Sequence, residues 1–419
     1  MELIVRKYGG TSLESIDKIK KIAQKTKNDI QNNKKILLVV SAMGKSTDDL
    51  LNKAKQISSS PDRRELDLLM SSGEIISSTL MSIALQDIGV KAKSLTGFQA
   101  GIDTNSSFGK AEIQSINNAR IMKEIKNNNT LVIAGFQGFN ENLDITTLGR
   151  GGSDTTAVAL AASIKASICE IYTDVKGIYT ADPKIVKSAK KLNFLAYEDM
   201  LELANYGAKM HPRSIELGMH YNIPLMIKSS LDEEEGTLVC NHKDIKKLIK
   251  KGLILNKITE NRNKVSGVTS EGNISKITLK NIPDKPGIAA KVFEPLSAKG
   301  INVDVIVQNA SNENKTDLTF TVDNNDLQKT INIMNEKSSE IKFESLISGK
   351  DYGKISIIGS GIQNAPGYAA KFFETLFSIN VNIEMITTSD IRITCLVKNS
   401  DLDKAIIKVH EVFGLDKQI

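Results

Sequence analysis

The stretch TTLGRGGSDTTA, residues 146–157, combines three glycines with one arginine, one aspartate and several hydroxyl side chains. It follows the apolar run TLVIAGFQG and precedes the apolar helical pattern AVALAASIKA. A glycine-rich turn between a strand and a helix can hold an anion, because glycine lets the backbone approach closely and the helix N-terminus presents free N–H groups. The stretch therefore predicts a phosphate or carboxylate site, with Ser153, Asp154 or Thr155 as the helix cap.

Two further glycine turns follow predicted strands. They are KYGGTS, residues 7–12, and VVSAMGKSTD, residues 39–48. The tripeptide GKS that begins at Gly44 imitates the end of a Walker A motif, but that motif needs a glycine five residues earlier, where Val39 stands. The spacing therefore excludes a P-loop, while the three turns together still predict one shared polyphosphate site.

The elements that would position these turns alternate between strand and helix up to about residue 240. Strand candidates are LIVRKYG, KILLVVSAM, LVIAGFQG, CEIYTDV and IPLMIKSS, and the longest helical pattern between them is RRELDLLMSSGEIISSTLMSIALQDIG. This alternation predicts an α/β fold with a mainly parallel central sheet. Ligands in such folds bind where strand ends meet helix starts.

An internal repeat follows. ITLKNIPDKPGIAAKVFEPLSAKGINVDVIVQNAS aligns with ISIIGSGIQNAPGYAAKFFETLFSINVNIEMITTS, and the Pro-Gly pairs at Pro286 and Pro366 keep the same offset as Phe293 and Phe373. Each copy predicts strand, helix, strand, strand and helix, which fits a small ferredoxin-like βαββαβ unit. The predicted domains are an α/β domain over 1–240, a linker over 241–262, and two repeat domains over 263–345 and 346–419.

Composition excludes several other classes. The 419 residues are 40% apolar and 25% charged, which predicts a globular protein of two or three domains. We expect no segment long and apolar enough for a membrane span, and the N-terminus predicts a strand, so we expect a cytoplasmic protein. The net charge of +6 is mild, and the basic run KDIKKLIKKG contains no aromatic residues, so no nucleic-acid or membrane partner is expected. Cys169, Cys240 and Cys395 lack CxxC spacing, so neither a disulfide framework nor a metal site is predicted.

The motifs KYGGTS, VVSAMGKSTD, SSGE, TGFQAGI, TTLGRGGSDTTA and EIYTDVKGIYTADP, together with the paired repeats, resemble the aspartate kinases. These are members of the amino acid kinase family that carry two C-terminal ACT domains. The resemblance runs in order over nearly the whole chain. It implies transfer of the γ-phosphate of ATP to the β-carboxylate of L-aspartate, giving 4-phospho-L-aspartate, the first step toward lysine, threonine, methionine and diaminopimelate. Two alternatives stay open, another amino acid kinase, for example one acting on glutamate, and a catalytically silent amino-acid sensor.

The chemistry of such a reaction constrains the site. A carboxylate acceptor is ionised near neutral pH and needs no general base, so the protein must position two anions and stabilise the charge on the transferring group. The resemblance implies that Lys7 is the catalytic lysine and that Asp154 orients it. Magnesium is expected to arrive with ATP. The residues that the resemblance places around the substrate are Ser41, Thr47, Glu74, Arg150, Gly151, Gly152 and Ser153. Those that it places around ATP are Lys7, Tyr8, Gly9, Gly10, Thr173, Asp174, Tyr179, Asp182, Lys184 and Lys209.

Two positions and one segment depart from the family pattern. The family more often has aspartate at position 176 and arginine at position 184, where this chain has Lys176 and Lys184. The segment GAKMHPRS is one residue shorter than the usual form, which leaves the role of His211 open. From spacing alone, Glu74 would be a solvated helix residue, and only the resemblance makes it a partner for the substrate ammonium.

The repeats predict regulation. By resemblance, an effector, lysine alone or together with threonine, binds between the first repeat of one chain and the second repeat of its partner. A homo-oligomer through the ACT domains is expected, built from one polypeptide, because no methionine lies between Met226 and Met334 to start a separate subunit. The effector residues implied are Asp284, Gly287, Ile288, Ala289, Asn302, Asp304, Gln308, Tyr368, Ala369, Asn382, Ile383, Ser389 and Asp390.

Overall fold

The computed structural model describes residues 2–205, 210–230, 232, 234–241, 243–244, 264–309, 314–362 and 365–417. The chain forms two compact units. Of the described residues, one unit comprises those within 2–179 and 191–244, and the other comprises those within 180–190 and 264–417. The first unit is therefore interrupted in the sequence, because residues 180–190 belong with the C-terminal repeats.

The first unit is an α/β fold. Its strands are β1 (Glu2–Tyr8), β2 (Lys34–Val40), β3 (Ala92–Leu95), β4 (Ile102–Thr104), β5 (Ile113–Ile116), β6 (Thr130–Ala134), β7 (Gln137–Phe139), β8 (Ile145–Thr147), β9 (Ile168–Thr173), β10 (Phe194–Ala196), β11 (Leu225–Ser229) and β12 (Thr237–Cys240). Its helices are α1 (Ile16–Gln31), α2 (Ser46–Ile57), α3 (Arg63–Asp87), α4 (Ala119–Lys126), α5 (Gly152–Ser163), α6 (Tyr197–Asn205) and α7 (Pro212–Tyr221).

The central sheet has the strand order β10-β12-β11-β9-β1-β2-β6-β3, and only the β11–β12 pairing is antiparallel. The prediction of a mainly parallel sheet is confirmed. Strands β2 and β6 are continuous apolar runs, KKILLVV and TLVIA, because helices cover both faces of a parallel sheet. A second, four-stranded sheet has the order β5-β4-β7-β8, and in the chain β4 follows β3 and β7 follows β6 of the central sheet.

Helix α3 is, by length and composition, apolar enough to cross a membrane, which inspection of the sequence missed. Its buried face, however, carries Asp67, Ser71, Glu74 and Ser78. Asp67 bonds Thr147 at the end of β8, and Glu74 bonds Ala42 after β2. A core helix that serves a polar site accounts for this pattern.

The second unit contains both repeats in one antiparallel sheet. Its strands are β13 (Gly267–Pro283), β14 (Ile306–Gln308), β15 (Lys315–Asp323), β16 (Ser345–Ile358), β17 (Met385–Ser389) and β18 (Arg392–Lys398). Its helices are α8 (Ile288–Ala298), α9 (Leu327–Glu336), α10 (Ser338–Ile341), α11 (Tyr368–Ser378) and α12 (Leu402–Val412). The strand order β14-β15-β13-β16-β18-β17 is symmetric about the β13–β16 pair, as expected for two copies joined side by side. Each copy has the predicted order of strand, helix, strand, strand and helix.

Two lysines form ion pairs that connect the repeats crosswise. Lys276, before the ITL of the first repeat, lies 2.7 Å from Glu384 of the second. Lys354, before the ISI of the second repeat, pairs with Asp304 of the first and lies 2.6 Å from Glu271. Each lysine therefore finds an acid on the other copy.

The segment of residues 180–190 packs into the core of the second repeat. Ala181 and Val186 belong to that apolar cluster, the Val268 amide donates to the Thr180 carbonyl (2.8 Å), and Thr180 Oγ1 lies 2.8 Å from the Nε2 of buried His410. This segment joins strand β9 to β10 of the first unit, so it links the two units covalently at both of its ends.

Candidate active site

The carboxyl ends of β1 and its neighbour β2 carry the first two glycine turns. The amide of Gly9 donates to the Tyr172 carbonyl at the end of β9 (3.4 Å), and the amide of Ser41 donates to the Tyr8 carbonyl (3.1 Å). A Cβ on Gly10 would lie 2.8 Å from the carbonyl oxygen of Ala42, so only glycine fits where the two turns touch. The structure thus brings the turns together at adjacent strand ends.

Lys7 and Asp154 form an ion pair beneath these turns. Their Nζ and Oδ1 atoms lie 2.7 Å apart, and both side chains are largely buried. A Cβ on Gly9 would lie 3.5 Å from the same Nζ, so the ammonium sits directly beside the glycine turn. A lysine that is held in this way presents a fixed positive charge to an anion cradled by the backbone.

Helix α5 begins in the third turn, and its cap differs from the prediction. Gly151, with φ of 70°, is the N-cap, and it offers no side chain. The expectation that Ser153, Asp154 or Thr155 caps the helix is wrong, because all three lie inside α5, whose first residue is Gly152. Asp154 is free to pair with Lys7 for this reason, and the first-turn N–H groups of α5 are not covered by a capping side chain.

Glu74 is buried, in contrast to the solvated position that spacing alone favoured. It is 3% exposed on α3, its Oε1 accepts from the amide of Ala42 (3.1 Å), and its Oε2 has no partner among the described residues. Burial raises the pKa of Glu74 to about 7, and the hydrogen bond from Ala42 opposes that rise. A buried carboxylate with one open oxygen is suited to a cationic ligand.

The remaining substrate candidates lie on two of the three turns. Arg150 is exposed between Gly149 and Gly151, whereas Ser153 is 8% exposed in the first turn of α5. Ser41 follows β2, and Thr47 lies in the first turn of α2. The structure therefore exposes the side chain of Arg150 to solvent. It places the buried carboxylate of Glu74 on a helix that contacts the second turn.

His211, whose role the sequence left open, contacts the third turn. It is the N-cap of α7, and its Nδ1 accepts from the amide of Arg213 (3.4 Å). A Cβ on Gly151 would lie 2.2 Å from the Cβ of His211, so the ring occupies the space that any larger residue would need. Burial and the nearby Arg213 lower the pKa of His211, which favours the neutral imidazole.

Tyr8 does not offer its side chain to the site. It is 1% exposed and stacks on Tyr172, with 4.6 Å between ring centroids, on the face of β1 opposite to Lys7. Only its backbone can reach a ligand, because alternate residues of a strand point to opposite faces. Sequence inspection also missed Arg6 on this face, which bonds Glu170 and Asp29 (2.6 Å each). An arginine in the middle of an apolar strand was the available signal.

The predicted nucleotide residues are divided between the two units. Thr173, Asp174 and Tyr179 belong to the first unit, and Asp182 and Lys184 belong to the second. Asp182 accepts from the amide of Lys184 (2.8 Å), so it shapes its own turn. Lys209 lies outside the described residues.

The charge reversal at position 176 is compensated locally. Lys176 is exposed and pairs with Glu234, with Nζ 2.5 Å from Oε1, and it lies 3.8 Å from Asp232.

In the described parts of the chain, no group of three or more His, Cys, Asp or Glu side chains is placed to hold a metal ion.

The effector candidates lie at equivalent places in the two repeats. Gly287 and Gly367, with φ of 88° and 99°, are the N-caps of α8 and α11. Gln308 ends the edge strand β14, and Ser389 ends the edge strand β17. Asp304 is already engaged by Lys354, a partner that the sequence did not indicate. The other candidates lie on these helices, on the segments before the edge strands and in the adjoining turns: Asp284, Ile288, Ala289, Asn302, Tyr368, Ala369, Asn382, Ile383 and Asp390.

Comparison with known proteins covers the whole chain. The model of the amino acid kinase family matches residues 2–229, and that of the ACT domain matches residues 280–351 and 355–413. The aspartokinase of Bacillus sp. (strain MGA3) is 41% identical over 417 residues, which are 99% of this chain and 98% of the relative.

Two solved structures of E. coli aspartokinase III have the same fold. The structure in complex with aspartate and ADP (R-state) has a TM-score of 0.78, and the structure with lysine and aspartate (T-state) has a TM-score of 0.75. Each is 26% identical and covers 98% of this chain and 99% of the solved chain. With a family model over more than half of its length and a relative of this identity over its full length, the chain belongs to the amino acid kinase family, within the aspartate kinases that carry ACT domains.

Proposed function

We propose that this enzyme transfers the γ-phosphoryl group of ATP to the β-carboxylate of L-aspartate, forming 4-phospho-L-aspartate and ADP, as the first step toward lysine, threonine and methionine. The observation that carries the proposal is the Lys7–Asp154 pair beside the Gly9 turn. Asp154 lies in the first turn of α5, directly after the Arg150 turn, and the buried Glu74 bonds Ala42, whose carbonyl lies against Gly10. This set offers a cation to the transferring phosphate, a carboxylate to an ammonium and a guanidinium to a carboxylate.

The division of roles follows from charge. Lys7 contacts the β- and γ-phosphates and Asp154 keeps it in place, since phosphoryl transfer depends on positioning and on charge stabilisation rather than on a base. Glu74 binds the substrate ammonium through its open oxygen, and Arg150 binds a substrate carboxylate with its planar fork. Thr173, Asp174 and Tyr179, at and after the end of β9, hold the nucleotide. Magnesium is carried by ATP, and the enzyme works in the cytoplasm.

The direct test is an acceptor assay. The purified chain is incubated with ATP, Mg²⁺ and L-aspartate, and acyl phosphate is trapped with hydroxylamine as the hydroxamate. Product with aspartate but not with glutamate is expected. Product with glutamate alone would favour another amino acid kinase, and no product with either would favour a silent sensor.

The pH dependence of aspartate binding should report Glu74. Its pKa is raised to about 7 in the unliganded protein, so the carboxyl is ionised above that pH and neutral below it. Because the ionised form attracts the substrate ammonium, kcat/KM for aspartate should fall as the pH drops below about 7, and kcat should be less affected, since the bound ammonium favours the ionised form. Glu74→Gln should lower kcat/KM at pH 8 and flatten this acid limb. Glu65→Gln, exposed on the same helix, serves as the control, and an unchanged limb in Glu74→Gln would refute the assignment.

For regulation, we propose that lysine, alone or together with threonine, inhibits the enzyme by binding at the Pro-Gly turns and edge strands of the repeats. The two-copy sheet supports this, as does the T-state structure of E. coli aspartokinase III with lysine. The exposed edges β14 and β17 can pair with those of a second copy, so we expect a homo-oligomer of one polypeptide.

A single exposed hydroxyl tests the effector site. Ser389→Ala should weaken inhibition by a coupling of about 1–3 kcal/mol and leave uninhibited turnover unchanged, because an effector acts only through its differential affinity for the inactive state. Ser348→Ala, exposed in the same sheet, should retain wild-type inhibition. Inhibition is measured with lysine, threonine and their mixture at millimolar concentrations. If none of them changes the activity of the wild type, the proposed regulation is wrong.

A further inference from the structure

Two chain segments meet immediately before the Arg150 turn. They are Gly109–Ala111, between β4 and β5, and Thr147–Leu148, at the end of β8. The amide of Ala111 donates to the carbonyl of Thr147 (2.9 Å). Gly149 then passes so close that a Cβ there would lie 2.9 Å from the carbonyl oxygen of Gly109. The path of the turn is therefore set by how these two segments are held together.

Asp67, on α3, bonds both segments with one carboxylate. It is 1% exposed, and its Oδ2 accepts from the amides of Gly109 (2.9 Å) and Thr147 (2.7 Å). Its Oδ1 accepts from Thr147 Oγ1 (2.8 Å). The carboxylate of Asp67 therefore accepts hydrogen bonds from two backbone amides and a hydroxyl group rather than pairing with a cation.

Arg213, on α7, bonds the same two segments with the complementary chemistry. Its Nη1 donates to the carbonyl of Leu148 (2.7 Å), and its Nη2 donates to the carbonyl of Ala111 (3.0 Å). A planar fork makes both bonds at once, which a single ammonium cannot do with the same geometry. The cap of this helix, His211, lies against Gly151, so α7 contacts the chain on both sides of Arg150.

Neither charge is balanced by an ion pair in the part of the chain that the structure describes. Burying a charge away from an opposite charge is costly, and hydrogen bonds must offset that cost. Burial raises the pKa of Asp67, and its hydrogen bonds from Thr147 and Gly109 oppose the rise. An apolar contact would join the two segments at lower cost, but it would not fix their backbone orientation.

We propose that Asp67 and Arg213 are positioning residues for the substrate turn, acting through Arg150. The inference rests on the proposed role of Arg150 in binding a substrate carboxylate. Each side chain contacts only backbone and hydroxyl groups beside the turn, and together they set the direction in which the chain enters it. Small displacements of a binding group lower the rate steeply, so loss of either side chain weakens substrate binding without any loss of substrate contact.

The experiment compares kinetic constants for Arg213→Lys, Arg213→Ala and Asp67→Asn. Each should raise KM for aspartate about tenfold or more, with KM for ATP unchanged within about twofold. Arg64→Ala removes an exposed arginine that bonds Asp144 near β8, and Asp62→Ala removes the cap of α3. These controls should leave KM for aspartate unchanged, even where Asp62→Ala lowers Tm. If Asp67→Asn does not fold, the two Arg213 variants decide the outcome.

A double-mutant cycle with Arg150→Ala separates positioning from general damage. If Arg213 acts through Arg150, Arg213→Ala should add little to KM for aspartate once Arg150 is gone. Fully additive effects would overturn the proposal, as would an equal rise in KM for both substrates. Failure of the proposed function itself would give another outcome: Arg150→Ala alone would leave KM for aspartate at the wild-type value.

Discussion

Lys7→Ala should lower kcat by roughly 1,000-fold or more while the protein stays folded. The Nζ of Lys7 is held 2.7 Å from Asp154 Oδ1 beside the Gly9 turn, where the transferring phosphate is proposed to bind. Removing it leaves the developing charge without its nearest fixed cation and leaves a largely buried Asp154 carboxylate unpaired. Lys7→Arg should also fail badly, because a wider planar fork does not fit the space of a compact ammonium. Single-turnover phosphoryl transfer measures the effect on chemistry.

The matched control for this prediction is Lys93→Ala. Lys93 also lies on a strand of the central sheet and pairs with a carboxylate, 2.9 Å from Glu124, but it is half exposed and distant in sequence from the glycine turns. It should retain wild-type turnover. If Lys7→Ala kept half of the wild-type kcat with unchanged Tm, the proposed site would be misplaced.

Arg150→Ala should raise KM for aspartate by about 100-fold, with a much smaller change in KM for ATP. Hydrogen bonds to charged groups contribute about 1.5–3 kcal/mol, and a factor of 100 corresponds to about 2.8 kcal/mol. The side chain of Arg150 is exposed to solvent, so removing it should not lower Tm. Steady-state kinetics with each substrate varied in turn separates the two constants.

Arg120→Ala, an exposed arginine at the start of α4, controls for the loss of positive charge on the surface. It should change neither constant. Equal increases in both KM values for Arg150→Ala would indicate damage to the turn rather than loss of a substrate contact.

The sequence predicted the fold well because its signals are local. Continuous apolar runs gave the parallel strands, and the Pro-Gly turns at a constant offset gave the repeats. The three glycine turns were predicted to share a site, and the structure places the first two at adjacent strand ends. Each of these features depends on residues that are neighbours in the chain.

The features that could not be predicted depend on contacts between distant residues. The burial of Glu74 depends on the Ala42 turn, and the cap of α5 depends on the left-handed Gly151, against which His211 packs. Asp67 lies seven residues before Glu74 and therefore on the same face of α3. This spacing could have marked Asp67 as a buried polar residue, but the many apolar residues of the helix obscured it. The membership of residues 180–190 in the second unit has no local signal, because it depends on the apolar cluster of the second repeat.

The crosswise pairs of the repeats have an evolutionary consequence. In a twofold dimer of identical subunits, each contact occurs twice with the partners exchanged, and Lys276–Glu384 and Lys354–Asp304 have this relation within one chain. The arrangement is the one expected if a symmetric dimer of single repeats became one chain by tandem gene fusion. Within one chain the two equivalent contacts no longer have to be identical, and here one uses aspartate and the other glutamate. Divergence of the repeats is therefore expected to proceed in coupled steps, with a charge lost from one copy followed by a compensating change in the other.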